Sequence, residues 1–124
     1  MKAISVTVEK TEAGFSAGAD KYPVYTAGDS LKEIKCNMLE ALNLFFEDKG
    51  KVVTENNLDL KLDISSFFEF YKVINAKALS TRIGMNQSLL AQYIKGIKKP
   101  SAAQTQRIIQ GIQQVGRELV DMRF

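Results

Sequence analysis

The hydrophobic pattern of this chain changes period once, near Ile64, and the change restricts it to two kinds of structure in succession. Before that point apolar and polar residues alternate. Ile4, Val6 and Val8 do so in "AISVTVEK", and Leu58, Leu60, Leu62 and Ile64 in "LDLKLDI". Successive side chains of a strand point to opposite faces, so alternation predicts half-buried strands. From Ser65 onward the apolar residues recur every three or four positions, the spacing of one helix face. The expected architecture is α+β: a small β-β-β-α-β domain over residues 1–64, then an all-helical domain over residues 65–124. At 124 residues the chain is long enough for two small cores.

Charge divides at the same place. Residues 1–64 hold eight Lys and no Arg against eleven Asp and Glu, a net −3. Residues 65–124 hold five Lys and four Arg against three Asp and Glu, a net +6. Two modules of opposite sign imply different partners, and a basic module of this size points to nucleic acid.

In the first half, "TEAG" supplies a hairpin turn between the first strand and a short second one in "FSAGA", and "PVYTA" supplies a third. The helix that follows opens with a capping box, Ser30 as N-cap and Glu33 three residues on. Leu31, Ile34, Met38, Leu42 and Phe45 form its apolar stripe, and Gly50 stops it. No enzyme chemistry is legible. There is no His, and Gly14, Gly18 and Gly28 match no nucleotide fingerprint. Metal-dependent chemistry would need Asp29, Asp59 and Asp63 to converge, whereas Asp59 and Asp63 are expected on a solvated strand face. Cys36 stands one position off the apolar stripe and is expected to be a partly buried small residue. Catalytic residues, metal and cofactor are all expected to be absent. A single cysteine forms no intrachain disulfide, and no apolar run spans a membrane or serves as a signal-peptide core. The expected location is cytoplasmic.

The second half reads as four helices. The first is capped by Ser65 or Ser66, with Phe67, Phe70 and Tyr71 available to the core. The second is capped by Asn75, with Leu79 and Ile83 inward and Gly84 at its end. Asn86 caps the third, whose buried side is Leu90, Tyr93 and Ile94, with Gly96 at its C-terminus. Ser101 caps the fourth, whose inner stripe is Ile108, Ile112, Val115 and Leu119. Two short helices joined through Gly84-Met85 have the sequence shape of a helix-turn-helix. On the third helix Gln87, Ser88, Ala91 and Lys95 share one polar face, with Gln92 at its margin. Gln pairs bidentately with adenine, and Ser donates or accepts at several base edges. Lys98 and Lys99, in the loop that follows, are placed to meet phosphate. A generic bundle with a Gln- and Ser-rich face is the plain alternative.

These stretches together resemble a HicB-type antitoxin of toxin–antitoxin systems. "ISVTVEKTEAGFSA" and "YPVYTAGDSLKEIKCNMLEALNLF" resemble that family's partial, degenerate ribonuclease-H-like domain, with Gly28-Asp29-Ser30 where the family has a Gly-Asp-Thr element. "ALSTRIGMNQSLLAQYIKGIKKPS" resembles a phage-repressor-like helix-turn-helix. The resemblance covers roughly residues 2–48 and 75–119. It implies a catalytically empty first domain that blocks a small basic mRNA-cleaving ribonuclease toxin. It also implies a second domain that represses its own operon. The DNA-reading positions carried over are Asn86, Gln87, Ser88, Ala91 and Gln92, with Lys95, Lys98 and Lys99 beside them. Operator double-stranded DNA and a second copy of the chain, as a homodimer or higher homo-oligomer, are the other implied partners. A stand-alone helix-turn-helix transcriptional regulator without a toxin is the alternative.

Overall fold

Hairpin chemistry and alternation place the first three strands. A computed structural model describes residues 2–123, and in it β1 (Ile4–Thr11), β2 (Gly14–Ala19) and β3 (Tyr25–Gly28) follow in order. After them come α1 (Leu31–Phe46) and β4 (Leu58–Leu62), then four helices: α2 (Ile64–Phe70), α3 (Ala76–Ile83), α4 (Gln87–Ile94) and α5 (Ala102–Asp121). The chain divides into two compact units, Met1–Asp63 and Ile64–Phe124. The first is a small mixed α+β domain and the second an all-helical bundle.

The sheet of the first unit has the order β3-β2-β1-β4. β1 pairs antiparallel with β2, Val8 opposite Ala17, and parallel with β4, Val8 opposite Leu62. This register brings Ile4, Val6, Val8, Ala17 and Ala19 to one face. There they pack with Ile34, Met38, Leu42 and Phe46 of α1 in a single buried cluster. Ser30 accepts a hydrogen bond from the Glu33 N–H at 3.1 Å, and the Glu33 carboxylate accepts from the Asp29 N–H at 3.2 Å. The segment after α1 is held by Asn43. Its amide accepts from the Val53 N–H at 2.7 Å and donates to the Val53 carbonyl at 3.0 Å. That side chain does the work of a strand neighbour and carries Val53 into the core.

Several sequence expectations are corrected. Ile64 does not end β4, which stops at Leu62, but opens α2 and is buried there. The helical phase therefore begins one residue early. Each residue advances the phase by about 100°, so Phe68 rather than Phe67 or Phe70 joins Ile64 inside, and Phe70 is exposed. The α1 stripe ends on Phe46, not Phe45. Leu31 lies in the first turn and faces water, and a 3-10 turn, Glu47–Lys49, precedes Gly50. Cys36 is exposed. On α5 only Ile108 is buried, and Leu119 is exposed.

Candidate nucleic-acid interface

The geometry around α4 starts with its caps. Asn75 accepts from the Ala78 N–H at 3.0 Å, and Asn86 accepts from the Leu89 N–H at 3.1 Å, fixing where α3 and α4 begin. Between them Gly84 adopts the left-handed conformation, φ 68°, and its N–H reaches back to the Ser80 and Thr81 carbonyls. A side chain would be strained there. The turn places Met85 inside, with its N–H on the Ser80 carbonyl at 2.9 Å. α3 and α4 pack together, α2 packs on α4, and α5 packs on α3.

Two contacts that lock this arrangement escaped sequence reasoning. Arg107 of α5 donates to the Ile83 and Gly84 carbonyls at 2.9 and 3.2 Å. A cation at the end of α3 also matches its dipole. Ser65, expected as a cap for α2, instead donates to the Ile94 carbonyl at the end of α4, at 2.8 Å. α3 and α5 cross at Gly111, where a Cβ would stand 2.3 Å from Ile83 Cγ2. These partners lie far apart in sequence, so no local pattern announces them. A weak signal was Gly111 itself, a glycine in the middle of a strongly amphipathic helix.

Each expected DNA-reading residue has a definite place. Asn86, Gln87 and Ser88 are exposed at the start of α4, with Asn86 also acting as its cap. Ala91 and Gln92 are half-buried one turn further on, and Lys95 is exposed at the far end. Lys98 and Lys99 are exposed in the loop, whose Ile97 and Lys98 N–H groups both bond the Gln92 carbonyl. The other cations of the unit are largely engaged. Arg82 pairs with Glu118, Lys72 with Glu69 at 3.1 Å, Arg117 bonds Gln114, and Arg107 caps α3. Among the described residues, Lys95, Lys98 and Lys99 make no ion pair. These three cations stand at the C-terminal end of α4 and in the loop after it, one helix length from the exposed amide and hydroxyl at its start, while Lys77, exposed at the start of α3, makes no ion pair either.

The chain matches no family model, and no curated protein or solved structure matches it significantly. In the first unit Asp59 pairs with Lys61 at 3.8 Å on the polar strand face. Asp29 is engaged through its backbone at the start of α1. Among the described residues no group of three or more His, Cys, Asp or Glu side chains is placed to hold a metal ion, so Asp29, Asp59 and Asp63 do not converge. No described helix is long and apolar enough to cross a membrane.

Proposed function

We propose that the chain is an antitoxin of the HicB type. On this reading its helical unit is a helix-turn-helix that represses the chain's own operon, and its α+β unit is a catalytically empty, ribonuclease-H-like domain. That α+β unit covers the active site of a small basic mRNA-cleaving ribonuclease. The observation that carries the reading is the exposed start of α4. There Gln87 and Ser88 stand free of the bundle core, and one helix length away Lys95, Lys98 and Lys99 make no ion pair among the described residues. An amide and a hydroxyl read base edges, while lysines meet phosphate. The β-β-β-α-β order of the first unit is the order expected of the ribonuclease-H-like domain. Its acidic balance suits a basic partner, because opposite fields speed encounter.

Repressors of this kind act as two-fold pairs on half-sites about 34 Å apart. Leu119, Val120 and Met122, exposed at the end of α5, supply apolar surface for a second copy. The test is co-expression with the adjacent reading frame and purification on one tag, joined to a mobility shift on the upstream DNA. Co-purification of a small basic protein and a specific shift support the antitoxin. A specific shift with no bound protein leaves a stand-alone regulator, and neither result refutes both.

A further inference from the structure

The first unit holds a second feature, apart from the residues assigned to DNA reading. A cavity of about 540 Å3 opens where the start of β1, the β2–β3 connection, the end of α1 and the segment after it meet. Among the described residues its lining includes Lys2, Lys21 and Lys51, and no Asp or Glu. This unit carries eleven acids against eight lysines, so an all-cationic lining runs against its overall charge. Among the described residues none of the three lysines makes an ion pair. Like charges gathered around a concavity raise its positive potential and draw in anions.

Apart from Ser5, the remaining lining is apolar. The Tyr22 ring stands edge-on to Phe46 at 4.9 Å, and Val52 is 73% exposed at the same cavity. An exposed valine beside three lysines that make no ion pair, with the Lys51 ammonium 5.7 Å from the Phe46 ring centroid, suits an amphiphilic anion. The volume lies within the roughly 300–1,000 Å3 of small-molecule sites.

We propose that this cavity binds a phosphorylated small molecule with a planar apolar body, a nucleoside monophosphate by class. The lysines take the phosphate as point charges, and the base lies against Tyr22 and Val52.

The experiment titrates the full chain with the four ribonucleoside monophosphates, inorganic phosphate and adenosine, by calorimetry at low salt. At least one nucleotide should bind about tenfold more tightly than either phosphate or the nucleoside, since each supplies only half of the contacts. Amide chemical shifts should move at Ser5, Lys21, Tyr22 and Val52. The exposed pair Lys21→Gln and Lys51→Gln, its fold checked by circular dichroism, should weaken binding about tenfold or more. Lys98→Ala with Lys99→Ala should leave it unchanged. Equal affinity for phosphate and nucleotide, shifts confined to α4, or indifference to the Lys21 and Lys51 changes would overturn the proposal. So would binding of a short single-stranded RNA with none of the mononucleotides.

Discussion

At the scale of single residues, three side chains carry more of the fold than their type suggests. Gly111 lets α5 lie against Ile83, and its missing Cβ is the reason the helices approach so closely. Gly111→Ala gains up to about 1 kcal/mol of helix propensity but drives a methyl into the branched Ile83 side chain, at a cost of about 1–3 kcal/mol. Thermal melting should therefore show a net loss, and Ile83→Ala in the same chain should remove the clash. Asn43→Ala strands the N–H and carbonyl of the buried Val53. Each group left unpaired costs about 1–3 kcal/mol, which denaturant unfolding of the variant would register. Glu118 sits under Arg82 and Gln114, and their hydrogen bonds, Arg82's first, hold its carboxyl below the usual carboxylate value. A lowered folded-state value contributes stability above the unfolded one and loses it as pH falls through the folded one. The melting-temperature gap between the parent chain and Glu118→Gln should be open at neutral pH. It should close as pH drops through the range just below the ordinary carboxylate value. Because the pair is solvent-facing, that gap should be small and shrink further in salt.

At the scale of the element, α4 is a helix with two ends of different chemistry. Its start shows Asn86, Gln87 and Ser88, and its end leads to Lys95, Lys98 and Lys99. If the start reads bases, Gln87→Ala and Gln92→Ala should each weaken operator binding by about tenfold to a hundredfold and leave random duplex nearly untouched. Lys98→Ala and Lys99→Ala should weaken both duplexes and lower the salt slope by about one unit each. One titration of both duplexes at several salt concentrations separates these outcomes, and an equal loss on both for Gln87→Ala would remove α4 as a reading helix. Asn86→Ala is a different kind of change. It deletes the cap that accepts from the Leu89 N–H, costs about 1 kcal/mol of stability, and should weaken operator binding through fraying of the first turn.

At the scale of the whole molecule, the fully buried residues of the first unit, from Ile4 to Val53, form one cluster, against which Leu58 and Leu60 of β4 also pack. The helical unit buries its own set, among them Leu79, Met85, Leu90, Tyr93 and Ile108. A unit of about 60 residues can fold alone, though with little to spare. Expressed separately, residues 1–63 and 64–124 should each unfold cooperatively. If the proposed division of labour holds, the first fragment should neutralise the toxin in a growth assay, and the second should bind the operator. A folded first fragment that leaves the toxin fully active would end the proposed division of labour.

Local signals made much of this legible in advance. Ser30, Asn75, Asn86 and Ser101 each cap the helix expected of them, because the hydrogen bond spans only three residues. The alternation in β1 and β4 and the left-handed Gly84 are local in the same sense. Phase proved more fragile. One residue more or less at the start of α2 rotated Phe70 out and Phe68 in, because the helix follows the strand directly and Asp63, Ser65 and Ser66 are all cap-forming types that allow more than one start. Spacing alone determined that α1 and α5 are amphipathic. It did not determine how much of each stripe a neighbour would cover, and so Leu31 and Leu119 stand in water. Only tertiary structure decided that Asn43 would hold Val53, that Arg107 would close α3, that Ser65 would serve α4 and that three lysines would share one cavity. The physical reason is common to all four. A residue's type and its near neighbours set its own backbone and the face it occupies, while its partner is set by which distant segment the packed core brings opposite it.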